Sequence, residues 1–99
     1  MEYWFCVDNS VLFMSLEGCV FRNGDGIGHR RKTELKIDST KDVQECINIC
    51  KHSKATSNPY INGVSVPQDG GKNGVVPCYC KMGMNGWNGS GDWKSCYLI

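Results

Sequence analysis

Seven cysteines in 99 residues constrain this chain more than any other feature, and their spacing constrains it further. Cys46 and Cys50 stand four apart, and Cys78 and Cys80 two apart. A cytosolic protein seldom carries about 7 % cysteine without a metal or redox task, whereas small secreted modules use cross-links where they are too short to build a large core. The pattern predicts a disulfide-stapled extracellular protein. On a helix, residues four apart place their Cβ atoms about 5–6 Å apart on one face, and on a strand, residues two apart share a face at about 6.5 Å. The two pairs are matched in spacing, so two parallel bridges could pin a helix across one strand. A third bridge from Cys19 to Cys96 would close a loop of nearly the whole chain and leave Cys6 without an intrachain partner. The same four thiols, Cys46, Cys50, Cys78 and Cys80, could in principle surround zinc, but structural zinc sites favour Cys-x2-Cys knuckles and neither pair has that spacing. No Cys-x-x-Cys occurs, so a thioredoxin-like motif is absent. The sequence therefore predicts neither a metal nor another cofactor.

At this length one module over residues 1–99 is expected, and folding buries only about 60–70 % of the unfolded chain's surface, which makes covalent support useful. A formal charge of +1 argues against a nucleic-acid partner. No apolar run approaches the ~20 residues of a membrane span, so no membrane insertion is expected. The opening Met1-Glu2-Tyr3-Trp4 lacks the basic and long apolar stretches of a signal peptide, and any native signal is expected to have been removed.

Five Asn-Gly pairs, at Asn23-Gly24, Asn62-Gly63, Asn73-Gly74, Asn85-Gly86 and Asn88-Gly89, predict tight turns between short strands. One helix is expected from about Thr40 to His52, since Val43, Cys46, Ile47 and Cys50 recur at helical spacing and Ser39 or Thr40 can cap it. Elsewhere the period is two. Thr33-Leu35-Ile37, Val64-Val66 and Val76-Cys78-Cys80-Met82 read as strands, as do Trp93 to Ile99, Val11 to Met14 and Cys19 to Arg22. Gly24 to Gly28, Gln68 to Gly74 and Asn85 to Gly91 read as loops by composition.

The succession Gly18-Cys19-Val20-Phe21, then Ser39 to Lys51 with its helical cysteine pair, then Cys78-Tyr79-Cys80-Lys81, then Trp93-Lys94-Ser95-Cys96-Tyr97-Leu98, resembles the apple/PAN module of extracellular adhesion and protease proteins. The resemblance covers about residues 16–99, with 1–15 as an N-terminal strand extension. It implies an α+β fold in which a single disulfide-stapled helix packs on a curved antiparallel sheet. It also implies the pairing Cys19–Cys96, Cys46–Cys80 and Cys50–Cys78, and a binding function without catalytic residues. The close Cys78-Tyr79-Cys80 is similar instead to the Cys-Tyr-Cys of the WSC carbohydrate-binding module. Cys6 has no apple counterpart.

Two groups are candidate ligand sites. His29-Arg30-Arg31-Lys32 is a dense basic run that could grip sulfate or carboxylate groups of a sulfated glycan, with a solvated loop rim as the plainer reading. Tyr79 and Trp87, with Trp93 read as more of a core residue, offer aromatic faces for stacking on a neutral sugar, and Asn85 and Asn88 offer amides for its hydroxyls. Tyr79 should point away from the helix, because Cys78 and Cys80 point toward it. Asn88-Gly89-Ser90 is an N-glycosylation sequon. The histidines His29 and His52 sit in no nucleophile motif, so no catalytic residues are expected.

The expected function is a secreted, non-catalytic recognition module of lectin or adhesion type, binding a glycan or an extracellular protein. Two alternatives are a toxin or protease inhibitor presenting Gln68 to Gly74 and a structural subunit of an extracellular matrix or adhesive. Cys6, beside the apolar Tyr3-Trp4-Phe5, is expected either to be buried or to join two copies of the chain.

Overall fold

A carboxylate starts the helix. In a computed structural model that describes residues 18–28 and 34–99, α1 (Val43–Thr56) begins after Asp42, whose side chain accepts from the Glu45 N–H at 2.8 Å, while Glu45 Oε1 accepts from the Lys41 N–H at 2.7 Å. The Asp42 bond caps the helix by satisfying an amide that the first turn leaves without a partner, and the Glu45 bond ties the residue before the cap back to that turn. The expected cap at Ser39 or Thr40 is therefore corrected: Thr40 stays in the preceding strand, its hydroxyl lying 3.0 Å from the Asp42 carbonyl and 3.3 Å from that of Val76. At the far end, the helix continues past His52 to Thr56, where the Ser53 carbonyl accepts from both Ser57 and Asn58.

The strands are β1 (Arg22–Asn23), β2 (Gly26–Gly28), β3 (Glu34–Thr40), β4 (Ile61–Pro67), β5 (Val76–Met82), β6 (Met84–Trp87) and β7 (Trp93–Tyr97). Five form one sheet in the order β1-β7-β4-β5-β3, antiparallel throughout, and β2 pairs with β6 as a separate two-stranded ribbon. Both segments of the ribbon read as loops from their glycine content. They are strands because the missing side chains let them lie close: a Cβ on Gly26 would stand 2.8 Å from Met84 Sδ. Of the Asn-Gly pairs, Asn73-Gly74 makes the predicted tight hairpin, with φ of 55° and 71° between the paired Lys72 and Val75.

Register sorts the sheet into two faces. Val64 lies opposite Cys80 and Cys96, so these residues share the face that receives α1, with Cys46, Ile47 and Cys50 fully buried against Val64, Val66, Cys78 and Cys80. Apolar residues at helical spacing meet apolar residues at strand spacing, which gives this small fold one continuous core.

Three disulfides join the described residues: Cys19–Cys96, Cys46–Cys78 and Cys50–Cys80, with Cα separations of 5.5, 5.6 and 5.4 Å. The first agrees with the apple-like pairing, and the other two exchange partners relative to it. Chain direction gives the reason. After β3 the helix doubles back over the sheet, antiparallel to β3 and thus in the same sense as β5, so the first helical cysteine meets the first strand cysteine. The Val11 to Met14 strand, Thr33 and Cys6 lie outside the described residues.

Candidate functional site

The opposite face of the sheet carries polar and aromatic residues. Ser65 lies opposite Tyr79 on one side and Ser95 on the other, which puts Tyr79, Ser65, Ser95 and Arg22 in one row across the sheet. The β2–β6 ribbon covers part of this back face. Its attachment is polar: Ser95 Oγ donates to the Gly24 carbonyl at 2.8 Å, Ser65 Oγ lies 2.6 Å from Ser95 Oγ, and the Gly26 N–H donates to Ser65 Oγ at 3.2 Å. Because Ser95 spends its proton on Gly24, Ser65 donates to Ser95. Both buried hydroxyls are then satisfied, as burial requires.

Beside the serines, Lys81 is 3 % exposed and sits between two carboxylates, with Nζ 2.6 Å from Glu34 Oε1 and 3.4 Å from Asp25 Oδ1. It ties β5 to the edge strand β3 and to the Gly24–Gly26 segment. Sequence reading missed this cluster, as it missed Ser65 and Ser95, because alternating polar residues in a strand ordinarily mark a solvent face.

The aromatic residues fall into two groups. Trp87 is occupied: its Nε1 donates to the Ser95 carbonyl at 2.9 Å, the Tyr97 ring stands perpendicular to it with centroids 5.1 Å apart, and the Arg22 guanidinium lies 4.3 Å from its centroid. These contacts fasten the ribbon to the sheet. Tyr79 and Trp93 meet elsewhere on the back face, over β4, with centroids 5.4 Å apart and ring planes at 77°. Both are half-buried, and Lys36 Nζ lies 6.0 Å from the Tyr79 centroid. Tyr79 points away from the helix side, as its position between Cys78 and Cys80 predicts. Trp93, expected to be core, instead sits on the back face as the other wall of this corner.

Tyr79 is flanked in sequence by two cysteines that are both cross-linked to α1, and its own backbone pairs with Lys36 on one side and Ser65 on the other. A ring on so constrained a strand loses little further backbone freedom when a ligand binds.

Of the other sequence candidates, Asn85 is exposed on β6, and Asn88 is exposed with Oδ1 accepting from the Asp25 and Ser90 amides, both at 2.9 Å. His29, Arg30, Arg31 and Lys32 lie outside the described residues. The sulfurs of Cys46, Cys50 and Cys78, three of the four that the zinc alternative names, lie within 4.8 Å of one another. All three are bound in disulfides, so none is the thiolate that zinc binds. Among the described residues no helix is long and apolar enough to cross a membrane. Comparison with known protein families, curated proteins and solved structures finds no match.

Proposed function

We propose that this chain is a secreted, non-catalytic recognition module of lectin or adhesion type whose ligand is a glycan, bound at the corner formed by Tyr79 and Trp93. The observation that carries this reading is the half-buried, perpendicular pair of rings on a strand stapled at both neighbouring residues. An aromatic wall complements the C–H face of a sugar ring through apolar contact, while a second wall at right angles restricts its orientation. A neighbouring polar group is available for hydroxyls, since the Lys36 ammonium borders Tyr79. The cross-links suit an oxidising extracellular setting.

The inhibitor alternative is less well supported. A protease substrate loop must present extended backbone, whereas Lys72 and Val75 bond each other in both directions, at 3.0 and 2.9 Å, and close the exposed tip into a two-residue turn.

A glycan array probed with the oxidised protein at low and high salt tests the proposal. Retention of neutral glycans, unchanged between the two conditions, is expected, since contacts of this kind are not screened by ions. Binding confined to sulfated glycans and abolished by salt would move recognition to cationic residues, and an array without any signal would refute the glycan reading.

A further inference from the structure

The sequon residues Asn88-Gly89-Ser90 lie between β6 and β7, and the fold fixes which end of the Asn88 carboxamide faces the protein. Two backbone N–H groups, of Asp25 and Ser90, converge on one side-chain atom at 2.9 Å each. Only the carboxamide oxygen can accept two such donors, so the assignment of Oδ1 and Nδ2 follows from chemistry. Nδ2 is thereby turned away from both donors, and among the described residues no acceptor engages it.

We infer that Asn88 Nδ2 carries an N-linked glycan. In the transfer, Nδ2 attacks the anomeric carbon of a polyprenyl-diphosphate-linked oligosaccharide. The new N–C bond forms as the anomeric C–O bond breaks, the lipid diphosphate leaves, and Nδ2 gives up one of its two protons to solvent or base. No electron is exchanged with an oxidant. The product keeps Oδ1 and one N–H, so both hydrogen bonds from Asp25 and Ser90 survive the modification.

Asn88, Gly89 and Gly91 are exposed, and a Cβ built on Gly89 or Gly91 would meet no atom of the described residues within 4 Å. The crowded side of Asn88 is its backbone, whose carbonyl packs against Gly24 and whose N–H donates to the Asp25 carbonyl at 2.9 Å. The backbone of Asn88 is thus engaged by the Gly24–Asp25 segment, while the residue itself is exposed and its Nδ2 has no acceptor among the described residues. Ser90, the hydroxyl residue that a sequon requires, is ordered in the same turn, its Oγ accepting from the Asp92 N–H at 3.3 Å.

This inference rests on the extracellular reading, because only a chain in the secretory route meets the lipid-linked donor. The full chain, expressed behind a signal peptide in a eukaryotic secretory host, should reach the medium with a mass excess that peptide N-glycosidase removes, leaving Asp at position 88. Ser90→Ala should lose the glycan entirely. Asn88→Asp should lose it while folding normally, since its carboxylate can still accept from the same two amides. Secreted protein with its three disulfides formed and Asn88 unmodified would overturn the inference while leaving the extracellular reading intact. A chain that fails to reach the medium with its disulfides formed would overturn that reading, and the glycan with it.

Discussion

Replacing Cys19 and Cys96 together by alanine should lower the stability of the oxidised protein by about 4 kcal/mol, the loop-closure value for a cross-link of this reach. The bridge spans 77 residues, but the inner bridges shorten the path between its ends to about 50 residues, which the logarithmic dependence on loop length scarcely notices. Alanine is the appropriate replacement because both positions are buried, and a serine hydroxyl there would add a desolvation cost of its own. In a module of this size the loss corresponds to a fall in Tm of more than about 15 °C. Removing Cys46 and Cys78 instead should cost less. Their bridge and Cys50–Cys80 span 32 and 30 residues and close almost the same loop, so the second of them constrains the unfolded chain little beyond the first. Urea unfolding of the two double variants measures the difference, and equal losses would contradict this ordering.

The next largest effect is expected at Lys81, and its sign depends on which partner is removed. With Asp25→Asn and Glu34→Gln combined, the ammonium stays in a site that is 3 % exposed and has lost both counter-charges, so a destabilisation of about 3 kcal/mol is expected. Adding Lys81→Met should recover most of that loss, because it removes the stranded charge and keeps an unbranched apolar side chain on the sheet. A triple variant no more stable than the double one would show that the three side chains do not act as one unit. Thermal unfolding of wild type, double and triple variants at one pH is sufficient to decide it.

Much of the scaffold is legible in the sequence, for an identifiable reason. Val43, Cys46, Ile47 and Cys50 follow the helical period because they face one core, and Cys78 and Cys80 follow the strand period for the same cause. The choice of partner among the inner cysteines is not legible, since four-residue and two-residue spacings match equally well in both senses; the direction of α1 relative to β5 decides it, and that is a property of the chain path. Composition misleads at β2 and β6, where glycine marks the close approach of Gly26 and Met84 rather than a loop. In the candidate site, the outward direction of Tyr79 follows from its bridged neighbours, but the separation of Trp87 from Trp93 does not. Trp87 is drawn into the attachment of the ribbon by Ser95, Tyr97 and Arg22, and Trp93 is brought beside Tyr79 by pairing between β4 and β7, a contact between residues distant in sequence.

The most direct measurement is the affinity of the oxidised protein for its best-retained array glycan, compared among wild type, Tyr79→Ala, Trp93→Ala and Trp87→Phe, each first checked for folding by circular dichroism. If recognition takes place at the Tyr79–Trp93 corner, each of the first two variants loses about tenfold in affinity, corresponding to an aromatic contact of about 1–1.5 kcal/mol, while Trp87→Phe binds as wild type. Undiminished binding by both alanine variants, or a loss confined to Trp87→Phe, would contradict the account.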